Sequence, residues 1–79
     1  MTFNCSLIIP AINYNNELEK CINACLKLKK VKIKIYVISD VKIKKKKKNT
    51  LFLSFGKINM SKKRNIGVGL SNTKYIAFL

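Results

Sequence analysis

Three carboxylates, one guanidinium and three thiols carry the most directed chemistry in this 79-residue sequence. The carboxylates are Glu17, Glu19 and Asp40, the guanidinium is Arg64, the thiols are Cys5, Cys21 and Cys25, and histidine is absent. A hard divalent cation needs several oxygen ligands converging on one point, and three scattered acids do not supply them. No CxxC pair or Cys/His set has zinc spacing. Cys21 and Cys25, four apart, read as reduced thiols on the inner side of a helix, which fits a reducing compartment. Asp40 and Arg64 remain. A carboxylate accepts hydrogen bonds from N–H groups, and a guanidinium fork suits a diphosphate or a base carbonyl. Lys62 and Lys63, beside Arg64, read as solvated cations.

The elements that must position these groups can be read from periodicity. Cys5–Pro10 (CSLIIP) is a short apolar run of the kind a buried parallel strand uses. The Asn-rich stretch Ala11–Asn16 reads as a loop. A helix is expected over about Asn16–Leu28, with Asn16 as its cap, Glu17 and Glu19 in its first turn and Lys27 near its end. Leu18, Cys21, Ile22, Cys25, Leu26 and Leu28 share one face of it. Val31–Ser39, Leu51–Phe55 and Lys74–Leu79 read as further strands, with Tyr75 and Phe78 as core or strand-packing residues. Ser61–Ser71 reads as a second helix, in which Gly67 and Gly69 each cost about 1 kcal/mol against alanine. Two such glycines predict a close approach to a neighbour or an early helix end. Strands interleaved with helices predict one small α/β domain with a parallel sheet.

Charge is the other prominent feature. Seventeen basic residues against three acids give a formal net charge of +14. Only Arg64 among the cations is arginine, which argues against base-specific nucleic-acid readout. Lys, Ile and Asn supply 36 of the 79 residues; all three have A/T-rich codons, so coding bias accounts for part of the charge. The run Lys44–Lys48 repels itself and reads as a solvated loop or frayed edge. No signal peptide or membrane-length apolar run is visible, so a cytoplasmic location, or the inner face of a membrane, is expected.

Five pieces, in order, resemble family 2 glycosyltransferases. Ser6–Asn13 (SLIIPAIN) is similar to the family's opening S-x-I-I-P-x-Y-N strand and loop, and the expected first helix follows as it does there. Tyr36–Asp40 (YVISD) resembles the second strand ending in an Asp-Asp pair. Lys63–Gly67 (KRNIG) resembles the A-R-N-x-G motif. Tyr75–Leu79 (YIAFL) resembles the strand leading into Asp-x-Asp. The resemblance implies a partial GT-A, Rossmann-like fold with parallel strands in the order 3-2-1-4 and flanking helices. It implies a nucleotide-sugar donor, of UDP type, with a nucleotide site at Pro10, Ala11, Ile12, Asn13, Asp40 and Arg64. Ile12 stands where the family often has an aromatic ring, and Ser39 where it has the first Asp. The divalent Mg or Mn would bind an Asp-x-Asp beyond Leu79, so residues 1–79 read as an amino-terminal half domain, inactive in sugar transfer by itself. Its expected partners are the nucleotide-sugar and a carboxy-terminal half or an anionic membrane surface. The charge supports an alternative: a small basic module that binds nucleic acid or anionic membranes without sequence preference.

Overall fold

The computed structural model describes residues 3–27 and 32–79. Its elements run β1 (Cys5–Ala11), α1 (Asn16–Leu26), β2 (Ile33–Ser39), β3 (Thr50–Ser54), α2 (Met60–Leu70) and β4 (Tyr75–Phe78). The four strands form one sheet in the order β3-β2-β1-β4, and every pairing is parallel. The expected α/β class and strand order both hold. The Leu28 and Val31 ends of two expected elements lie outside the described residues.

β1 and β2 are central and bury five consecutive residues each, as strands covered on both faces must. Alternation divides these residues between two layers. Leu7, Ile9, Ile35 and Val37 meet Leu18 and Ile22 of α1. Ile8, on the opposite face, meets α2 at Gly67. This division is what right-handed crossovers require, since the chain moves one way across the sheet from β1 to β3 and back across it to β4. Pro10 sits in a central strand without breaking a ladder. The Ile8 carbonyl accepts from Leu79 N–H at 3.1 Å, so even positions of β1 aim their polar groups at β4. The last β1–β4 pair is Ile8 with Phe78, so Pro10 lies past the paired part of that ladder.

α1 starts at Asn16 as expected, α2 starts at Met60, one residue earlier than expected, and both are capped by asparagine. Asn15, not Asn16, caps α1 by accepting from Leu18 N–H at 2.8 Å. Asn59 caps α2 by accepting from Lys62 N–H at 2.8 Å. In a run of two asparagines, the cap is the one whose i+3 partner opens the apolar face, and Leu18 is that partner.

One expectation about exposure is corrected. Tyr75 and Phe78 are not packed inside: β4 is an edge strand, exposed throughout, with Tyr75 61% and Phe78 50% accessible. The lysine run is a loop, as expected, with Lys47 half-buried. Residues 40–49 cross from β2 to β3 on the α1 side, where Ile43 packs against the core. Lys47 Nζ lies 3.4 Å from Glu19 Oε1 and donates to Asn23 Oδ1 at 3.2 Å, while Lys45 Nζ sits 5.3 Å from the centre of the Tyr14 ring. Tyr14 in turn donates its hydroxyl to Glu19 Oε1 at 2.8 Å and meets Phe52 edge-on.

This network makes the strap sensitive to acid. The Tyr14 hydroxyl, and then Lys47, hold the Glu19 carboxyl below its ordinary range. A carboxyl depressed by folding contributes stability above its unfolded pKa, and that contribution is lost as pH falls through the folded value. Glu19→Gln is therefore expected to have a lower urea midpoint than the wild type at pH 7, and the two midpoints are expected to converge below about pH 4. A gap that persists in acid would assign the effect to packing instead.

Candidate functional site

Parallel sheets offer a ligand crevice at the carboxyl ends of their strands, where neighbouring crossovers leave in opposite directions. Here that point lies between β1 and β4. An open cleft of about 350 Å³ sits there on the α1 side. Pro10, Ala11, Ile12 and Asn13 line it from the end of β1, opposite Leu79 and beside Glu17 and Cys21 of α1. Small-molecule sites commonly span about 300–1,000 Å³, so the cleft is at the lower end of that range. Ile12 stands at the rim, 70% exposed. Asn13 shapes the turn: its side-chain oxygen accepts from Tyr14 N–H at 2.7 Å.

Asp40 joins this region through a side chain that the sequence reading left in solvent. Lys63 is 2% exposed, and its ammonium donates to the Ala11 carbonyl at 2.6 Å and lies 2.6 Å from Asp40 Oδ1. One cation thereby links the ends of β1 and β2 to the amino-terminal part of α2. The approach to Asp40 is ionic without hydrogen-bond alignment, because Oδ1 is buried and has no directed donor. Ser39, 1% exposed, is occupied with backbone: its hydroxyl donates to Val41 O at 2.5 Å and lies 3.4 Å from Leu53 O. It braces the turn and offers nothing to a ligand.

Arg64 is exposed and makes no hydrogen bond or ion pair among the described residues. The structure thus gathers Pro10, Ala11, Ile12, Asn13 and Asp40 around the end of β1, with Arg64 outside that group. Lys63 is the residue that sequence reasoning missed. Lys63 lies four residues before Gly67 and shares its helix face, but only the structure shows that this face is the buried one.

The carboxylates stay apart, and among the described residues no three metal-ligating side chains come together. The side chains present do not fit a divalent cation. All three cysteines are free, and burial pushes the Cys25 thiol up, with Cys21 adding to the effect. A raised thiol pKa keeps Cys25 protonated and a poor nucleophile.

No protein-family model, no curated protein and no solved structure matches this chain.

Proposed function

We propose that this chain is a nucleotide-sugar-binding unit, the amino-terminal half of a family 2 glycosyltransferase-like domain. The observation that carries the reading is the cleft at the sheet's switch point, lined by Pro10, Ala11, Ile12 and Asn13, with Asp40 fixed close by through Lys63 and the Ala11 carbonyl. The strand order β3-β2-β1-β4 supports it as well. In this reading the apolar rim at Ile12 covers one face of the base, Asp40 accepts from a base N–H, and Arg64 reaches a phosphate from outside. The metal-assisted transfer step belongs to other residues. Three free thiols and a fold with no helix, among the described residues, long and apolar enough to cross a membrane agree with a cytoplasmic setting.

Ligand-observed NMR with UDP, a UDP-sugar, ADP and GDP tests the reading. Binding of the UDP forms is expected, and Ile12→Glu is expected to abolish it by putting a charged carboxylate where the reading needs an apolar contact to the base. Because Ile12 is exposed, that change spares the fold. Absence of contact with any of the four nucleotides at millimolar concentration, or equal binding by I12E, would remove the proposal.

A further inference from the structure

The strap between β2 and β3 has a feature unrelated to the cleft. Residues 42–47 contain no helix, turn or bend, and Lys48 opens the turn that enters β3. Alternate side chains are spoken for: Ile43 is in the core contact, Lys45 sits over Tyr14, and Lys47 is paired with Glu19. The intervening ones, Lys42, Lys44, Lys46 and Lys48, are exposed and have no acidic partner among the described residues. Ile43 and Lys47 hold the segment against the core and α1, and Lys45, itself exposed, lies over the Tyr14 ring, so Lys42, Lys44, Lys46 and Lys48 remain as a row of ammonium groups unpaired among the described residues. In an extended chain, alternate side chains recur about every 6.6 Å. That repeat is close to the separation of neighbouring phosphates along a nucleic-acid strand.

We propose that this row is a binding strip for the phosphate backbone of single-stranded nucleic acid, read without regard to sequence. The partner's shape follows from the strip's shape. A line of charges one residue wide matches a linear polyanion, whereas a membrane surface calls for cations spread over a face. Base recognition is not part of it: Lys acts as a point charge, and no aromatic side chain lies within the row to stack a base. Two of the three acids in the chain are already committed, Glu19 to Lys47 and Asp40 to Lys63, so little negative charge opposes the strip.

The test uses the whole 79-residue chain and a fluorescein-labelled twelve-nucleotide oligo-dT, followed by anisotropy across salt concentrations. Each phosphate neutralised on a single strand contributes about −0.7 to the slope of log K against log salt, so four contacts give about −2.8. Affinity is then expected to fall about 50-fold between about 50 and 200 mM salt. Two quadruple variants remove the same charge from different places. K42Q/K44Q/K46Q/K48Q is expected to lose most of the affinity and flatten the slope. K20Q/K32Q/K57Q/K74Q, made at exposed lysines elsewhere, is expected to keep both. Equal losses in the two variants would overturn the proposal in favour of undirected net charge. So would absence of binding at low salt, or preferential binding to vesicles of phosphatidylcholine and phosphatidylserine at three to one. Far-UV circular dichroism of both variants checks that the fold is retained, and the wild-type salt slope tests the proposal without any variant.

Discussion

Gly67→Ala is expected to destabilise this domain, while Gly69→Ala, two residues along the same helix, is expected to stabilise it. The two sites differ only in what a methyl group would meet. A Cβ on Gly67 would lie 2.5 Å from Ile8 Cγ2 and 2.8 Å from both Cγ1 and Cδ1; a Cβ on Gly69 would have nothing within 4 Å. Ile8 cannot step aside. It is fully buried in a central strand, and the nearest clash is with a γ-carbon whose position is fixed by the stiff branched side chain. Overpacking a filled core costs about 1–3 kcal/mol, and three clashes at once place Gly67→Ala near the top of that range. Alanine returns about 1 kcal/mol of helix propensity at either position. The net expectation is a loss of about 2 kcal/mol for Gly67→Ala and a gain of up to about 1 kcal/mol for Gly69→Ala, read as opposite shifts in urea midpoint. Ile8→Ala combined with Gly67→Ala should cost less than the two changes made separately, because truncating Ile8 makes room for the new methyl. Similar stability for the two single alanine variants would mean that α2 does not depend on this contact.

The same pair of residues explains what was legible beforehand. Two glycines in an expected helix predict a tight approach or an early stop, and the sequence offers no way to choose which glycine makes the approach. The choice depends on which face of α2 meets β1, and α2 gives little guidance: it buries only Lys63 and Gly67, while Val68 and Leu70 are exposed. By contrast α1 announces its inner face through Leu18 and Ile22, both of which are buried. Strand order was anticipated from a resemblance rather than from the residues themselves, since apolar runs such as those of β1 and β2 reveal burial and not neighbours. The edge position of β4 followed from the same resemblance, which sets it at one end of the order 3-2-1-4; what escaped was how far Tyr75 and Phe78 stand in solvent. Tyr75, Ile76 and Phe78 look like core residues by type, but as an edge strand β4 has only β1 beside it. In the candidate site, residues 10–13 at the end of β1 were singled out by the resemblance of the SLIIPAIN run, as the strand order was. Lys63 was not, because lysine is rarely buried and its partners, Ala11 and Asp40, are distant in sequence.

Lys63→Met is the change expected to cost most per atom altered. Methionine has about the length of the lysine stem, so packing against the sheet is largely kept and only the ammonium is lost. Three consequences follow together. Asp40 loses the cation beside its buried Oδ1, the Ala11 carbonyl loses its donor, and the ends of β1 and β2 lose their shared tie to α2. Removing one member of a buried ion pair costs about 3–5 kcal/mol, most of it the penalty for the charge left behind. The Asp40 side chain retains 15% exposure, which lets water reach part of it and places the expected loss near about 3 kcal/mol. A chain of this size has a total stability of only about 4–12 kcal/mol, so the variant should show a marked drop in urea midpoint. Lys63→Met with Asp40→Asn distinguishes a charge penalty from lost packing. The neutral pair no longer strands a charge, so the double variant is expected to recover at least half of the loss, even though the Ala11 carbonyl stays without its donor. If the double variant is as unstable as Lys63→Met alone, Lys63 acts through its hydrogen bond to Ala11 and the contact with Asp40 is incidental. In that case the backbone of Asp40 would be held by the turn after β2, through the Ser39 hydroxyl on the Val41 carbonyl and the Ser54 hydroxyl on the Asp40 carbonyl, and its carboxylate would not depend on Lys63 for its place.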